Sequence, residues 1–159
     1  MSSINWITQR LNEYHVPYKE VHHKQAFTAQ QVALKEHFDS AQTVKVVVVI
    51  TDGKPATLIL PATRYVSLEQ VKRLLGAQQI RLANEEEMQF YFPECEVGAI
   101  PPLPHWKHID MLMDPSMRVR GEILFQGGTH TDAIEMRFDD WFALVKPRIG
   151  EFATPSKNF

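Results

Sequence analysis

The sequence predicts a mixed α/β or α+β fold. Three observations carry this expectation. Helical patterns alternate with strand patterns early in the chain, hairpin-linked strands dominate late, and side-chain caps mark the helix starts between them. There is no internal repeat, low-complexity tract or long linker, so one domain over residues 1–159 is expected.

The first helix is expected over Ser3 to His15, because Ile4, Ile7, Leu11 and Tyr14 recur at helical spacing on one face. Pro17 ends it and opens an extended segment, Tyr18 to His23. Thr28 with Gln31 reads as a capping box for a short helix through about His37. Thr43 to Thr51 is a β-branched run and reads as a strand. Asp52-Gly53 signals a hairpin turn, with Thr57 to Leu60 returning as the partner strand. Ser67 with Gln70 caps a helix whose buried stripe is Leu68, Val71, Leu74 and Leu75, and Gly76 closes it. Asn84 with Glu87 starts another, acidic in its first turn, which stops before Pro93. Val97 to Pro104 is too rich in Gly and Pro for regular structure. Strands follow at Ile109 to Met113, Glu122 to Gln126 and Asp132 to Met136. A helix near Asp139 to Val145 ends before Pro147, and a frayed, flexible tail is expected over 150–159.

Composition narrows the function classes. Hydrophobic residues at 44% and charged residues at 23% are ordinary globular values, which argues against a disordered chain. The longest apolar run, Val46 to Ile50, is far short of the roughly 20 residues of a membrane span. The N-terminus has neither the basic nor the apolar region of a secretion signal. A lone cysteine, Cys95, forms no internal disulfide, and a cytoplasmic setting is expected. Net charge of −2 argues against a protein that coats nucleic acid through many phosphate contacts. It leaves room for recognition of a single nucleic-acid end.

Few residues are candidates for chemistry. Lys45 interrupts the otherwise apolar run Val44 to Ile50, on the same face as Val47 and Val49. An ammonium near a core needs an anionic or polar partner, such as a phosphate or a polarised ester carbonyl; alternatively it snorkels to water past Thr43. The loop Gly98-Ala99-Ile100-Pro101-Pro102 is stiff, and its Ala99 and Ile100 amides can face a carbonyl or a terminal ribose, or simply connect two elements. Gly127-Gly128-Thr129-His130 lies between two strands, where His130 is either a general base or pocket gate, or the exposed flank of a turn. The pairs His22-His23 and His105-x-x-His108, with Cys95 and Asp110, match no zinc signature, so no metal is expected. Cys95 between Glu94 and Glu96 is a poor nucleophile, since both charges disfavour the thiolate. No G-x-S-x-G elbow, Walker loop or dinucleotide fingerprint is present, and no cofactor is implied.

Taken in order, these features resemble the YbaK/ProX family, the aminoacyl-tRNA editing or prolyl-tRNA synthetase insertion domain. The resemblance runs from about Leu11 to Val145. It rests on Val16-Pro17-Tyr18, on Val21-His22-His23 with Ala26 to Ala33, and on Val44-Lys45-Val46-Val47-Val48. Ala56 to Pro61, the Ser67 helix, Gly98 to Pro102 as a G-x-x-x-P loop, and His130 complete it. It implies a barrel-like mixed β-sheet surrounded by helices, in a free-standing member that acts in trans. The implied activity is hydrolysis of the ester of a mischarged tRNA carrying a small amino acid, with alanine, serine or threonine favoured over cysteine. Lys45, Gly98 and His130 are the implied catalytic group: Lys45 at the 3′-terminal adenosine or its phosphate, the loop at the aminoacyl group, His130 shaping the pocket. Ala99, Ile100, Pro101, Pro102, Thr28, His23, Gly128 and Thr129 are the implied substrate-binding residues. The implied partners are the 3′ end of the aminoacyl-tRNA and an aminoacyl-tRNA synthetase. The chain departs from many members after the loop, with Leu103-Pro104-His105-Trp106 in place of Phe-Gly. Three alternatives stand beside this one: a non-catalytic tRNA- or synthetase-binding module, a hydrolase of small free esters, and, disfavoured by the charge balance, a DNA-binding protein.

Overall fold

The computed structural model describes residues 4–104 and 109–155. Ser3, His105, Trp106, His108 and the last four residues of the expected tail lie outside them.

Helix α1 (Ile4–Glu13) buries Ile7 and Leu11 completely. Tyr14, expected on the same face, is 61% exposed. The helix has already ended there, and His15 turns the chain at φ 55°. Strand β1 (Tyr18–His22) follows, then α2 (Ala29–Lys35). Thr28 Oγ1 accepts the Gln31 amide at 3.1 Å, as a cap should, but the Gln31 side chain accepts from the Phe27 amide at 2.8 Å. The reciprocal bond therefore lands one residue earlier than in a standard capping box and fixes the backbone at Phe27.

Strands β2 (Val44–Thr51) and β3 (Lys54–Pro61) form an antiparallel hairpin in register from Val44↔Pro61 to Thr51↔Lys54. Its two turn residues, Asp52 at φ 48° and Gly53 at φ 82°, adopt the left-handed pair that matches strand twist. Strand β3 begins three residues earlier than its apolar run suggests, because pairing extends to the turn. Next come β4 (Tyr65–Val66), α3 (Leu68–Leu75), β5 (Ile80–Leu82) and α4 (Glu85–Tyr91). Ser67 caps α3 and Gly76, at φ 61°, closes it; both halves of the Asn84/Glu87 capping box are formed on α4. The chain continues through β6 (Asp110–Met113), β7 (Glu122–Gln126), β8 (Asp132–Arg137), α5 (Phe138–Val145), β9 (Arg148–Ile149) and β10 (Ala153–Thr154).

Three sheets result, in orders β1-β8-β7, β10-β4 and β5-β2-β3-β6-β9. The largest is mixed: β2 pairs antiparallel with β3 and β5, while β3–β6 and β6–β9 are parallel. The mixed α/β expectation holds; the barrel-like closure does not. The large sheet ends at β5 and β9, and it meets β7 through a single parallel bridge, Thr43↔Leu124. One face of the joined sheets carries Val44, Ile59, Phe125 and Ile134 into the main core, with Ile7, Leu11 and Trp141 from the helices. The opposite face is divided. Val49, Leu58 and Leu60 pack with Val71 of α3, whereas Leu124 and Ala133 pack with Val32 of α2 and with Ala26.

The frayed end expected from Gly150 is a second difference. Phe152 is 1% exposed, and Asp114 Oδ1 accepts the Phe152 and Ala153 amides at 2.8 Å each. Residues 153–154 pair with β4, so the segment through Thr154 is docked by long-range bonds that local sequence does not announce.

Candidate functional site

The loop Gly98 to Pro102 has no regular structure and is held by its ends. The Ala99 amide donates to Glu96 O at 3.0 Å, closing a turn. Ala99 O accepts from the Gly128 amide at 2.9 Å, and Gly128 O accepts from the Glu96 amide at 2.8 Å. Pro102 O accepts from the buried Trp141 indole at 2.8 Å. Ala99, Ile100, Pro101 and Pro102 are all buried, while Gly98 is exposed with φ +86°. The expectation that the Ala99 amide faces a ligand is therefore corrected: it is engaged by its own turn. Among the described residues, the amides of Gly98 and Ile100 make no internal hydrogen bond.

Gly98 lies against the β7–β8 hairpin loop. A Cβ at this position would sit 3.6 Å from Phe27 O and 3.7 Å from His130 Cε1. The Phe27 and His130 rings touch at a tilt of 53°, with centroids 4.8 Å apart. The His130 amide donates to Glu96 Oε1 at 2.9 Å, and its carbonyl accepts from the Ala26 amide at 2.9 Å. Its ring Nδ1 is buried and has no partner among the described residues. The tip of the hairpin is braced by Asp132, whose carboxylate accepts from Thr129 Oγ1 and from His22 Nδ1, each at 2.6 Å. His23 Nδ1 donates to Lys24 O at 2.7 Å. A carbonyl only accepts, so Nδ1 carries a proton; Nε2 is buried and has no partner among the described residues.

Lys45 enters from the other sheet. It is half-buried, its ammonium donates to Arg64 O, and it lies 4.9 Å from the centroid of the Tyr65 ring. A carbonyl and an aromatic face thus share in compensating the cation. Alternation puts Lys45 on the face opposite Val46 and Val48, which pack with Ile100. Its place relative to the hairpin follows from register. The parallel bridge Thr43↔Leu124 sets Lys45 and Gln126, each two residues on, at equivalent positions of one face. Gln126 in turn pairs with Ala133, and Ala133 with Val21. A row Val21, Ala133, Gln126 therefore crosses three strands, with Ala26 and Val32 covering its Ala133 end, and Lys45 lies on the same face beyond it, two residues past the bridge.

The structure thus gathers Gly98, Gly128, His130 and Phe27 at one end of the hairpin, with Thr28 and His23 on the segments flanking Phe27 and Thr129 at the hairpin tip. Lys45 is not gathered with them: it stands on β2, two residues past the bridge to β7, with its ammonium on Arg64 O and Tyr65. Sequence reasoning passed over Gln126, although a polar residue ending the apolar stretch Ile123-Leu124-Phe125 is a signal of the same kind as Lys45. Cys95 is no nucleophile: burial, then the charge of Glu94, pushes its thiol up to about 12. Among the described residues no group of three or more His, Cys, Asp or Glu is placed to hold a metal ion, and no helix is long and apolar enough to cross a membrane.

Comparison with known proteins adds to this geometry. No curated protein matches the sequence. Among solved structures, a candidate trans-editing enzyme for prolyl tRNA synthetase superposes with a TM-score of 0.83 at 19% identity, covering 97% of this chain and 98% of that one. The hypothetical protein APE2540 superposes at 0.84 with 17% identity, covering 93% and 99%. A candidate signal transduction protein from Marinobacter aquaeolei VT8 does so at 0.70 with 15% identity, covering 93% of this chain and 30% of that larger one. At these identities the likeness is one of fold. The family described as the aminoacyl-tRNA editing domain matches residues 23–144. That span takes in His23, the Phe27–Thr28 cap, Lys45, the Gly98 loop and the His130 hairpin, and on it the chain belongs to the aminoacyl-tRNA editing domain family.

Proposed function

We propose that this protein is a trans-acting deacylase that hydrolyses the ester of a mischarged aminoacyl-tRNA carrying alanine, serine or threonine. The observation that carries the reading is the Gly98 loop lying against Phe27 and His130 at the end of the β7–β8 hairpin, inside the matched family span, which also takes in Lys45. The tRNA is far larger than the site, so its aminoacyl group enters first and the terminal adenosine stays at the mouth. Lys45 supplies positive charge for the adenosine phosphate and for the developing oxyanion. The free Gly98 and Ile100 amides supply hydrogen bonds to that oxygen, in the manner of an oxyanion hole.

Water is the nucleophile. Its oxygen adds to the ester carbonyl carbon, the bond to the ribose oxygen breaks, and the water proton passes to that oxygen, releasing a free amino acid and intact tRNA. The neighbouring ribose hydroxyl is suited to relay the proton. His130 closes one wall and helps set which amino acid fits. A synthetase partner would deliver the substrate.

Deacylation of Ala-, Ser-, Thr- and Cys-tRNA by the wild type and by Lys45→Ala tests the reading. At least one of the first three esters should be lost rapidly, and the variant should fall about 100-fold or more in kcat/KM. Binding without turnover would make the protein a non-catalytic module of the same fold.

A further inference from the structure

We infer that Gln126 is the residue that reads the substrate's side chain, and that it selects a hydroxyl-bearing aminoacyl group; this rests on the deacylase reading above. Gln126 is 8% exposed, and its Nε2 is buried with no acceptor among the described residues. A sealed amide without a partner is destabilising, and a native protein keeps one where something else satisfies it. Its surroundings identify that partner. Gln126 occupies the position equivalent to Lys45 across the β2–β7 bridge and precedes the hairpin loop that carries His130. Its strand partner Ala133 is buried against Ala26 and Val32, so no polar group of that neighbour reaches the amide.

The ester must stay near Lys45 and the Gly98 loop, so the amino acid's own side chain points inward along this row. There it meets one primary amide. A short side chain ending in a hydroxyl satisfies it, because its oxygen accepts from Nε2. An alanyl group leaves the amide unpaired, and a site built around a hydroxyl discriminates strongly against the analogue that lacks it.

Gln126→Met keeps the shape and removes the amide. On one tRNA body, seryl and threonyl esters should lose about 10- to 100-fold in kcat/KM while the alanyl ester changes less than about twofold. The thermal midpoint should hold or rise by about 2–4 °C, as expected on removing an unsatisfied buried group. An equal fall on all three esters, no change on any, or a lower midpoint would overturn the assignment. No cleavage by the wild type would overturn the hydrolase reading instead. Relative binding of seryl- and alanyl-tRNA to the two proteins would then decide Gln126 separately, with unchanged ratios counting against it.

Discussion

Gly98 has φ +86°, a conformation that L side chains enter only at a cost of about 1–2 kcal/mol. A methyl there would meet Phe27 O and His130 Cε1 at ordinary contact distances, so the cost is backbone strain and not collision. Gly98→Ala should lower the thermal midpoint by several degrees and cut deacylation more than stability alone explains, because relaxing the strain turns the Gly98 amide away from the site. Circular dichroism melting beside single-turnover deacylation checks both parts; a melting shift with full activity would remove the Gly98 amide from the mechanism. At this scale the sequence was informative where a residue breaks a pattern. Lys45 is visible because it is the one charge in an apolar strand. Ala99 misled because the bond that engages its amide comes from Glu96, in a turn that composition does not encode.

Among the elements, the caps were the most legible: Thr28, Ser67 and Asn84 all accept the amide three residues on, since capping is a local contest between side chain and backbone. Two-residue strands were not legible. β4, β9 and β10 exist only because distant segments meet, and β10 depends on Asp114. Burial alone would raise the Asp114 carboxyl, but hydrogen bonds from the Ser116 hydroxyl and the Ala153, Phe152 and Ser116 amides outweigh it and hold it below the ordinary carboxylate value. The folded state therefore binds this proton more weakly than the unfolded chain. The contribution is complete above the unfolded value of roughly 4 and is lost as pH falls through the lower folded value. Asp114→Ala should destabilise by roughly 2 kcal/mol near neutrality, and its deficit against the wild type should shrink below about pH 4. Hydrogen exchange should show residues 150–154 opening before the rest of the variant. A deficit that stays constant down to strong acid would mean that the side chain acts through packing alone.

At the scale of the whole molecule, the barrel expectation failed for a reason that also explains the site. The joined sheets share one core face, while the other face splits between α2 and α3 where β2 leaves β7 after a single bridge. Lys45 and Gln126 stand at that split, each two residues past the bridge. With a net charge of −2 the surface as a whole does not attract phosphate, so recognition should rest on a few contacts near the 3′ end. Each neutralised phosphate of a single-stranded end contributes a slope of about −0.7 to the logarithmic dependence of affinity on salt. Engagement through Lys45 and one or two further cations therefore predicts a slope between about −1.4 and −2.1. Titrating a tRNA and its isolated 3′-terminal oligonucleotide across salt concentrations would measure it. Equal, shallow slopes would locate recognition at the 3′ tip. A much steeper slope for the full tRNA would require a basic surface along the acceptor stem, and the acidic balance of the chain argues that it is absent.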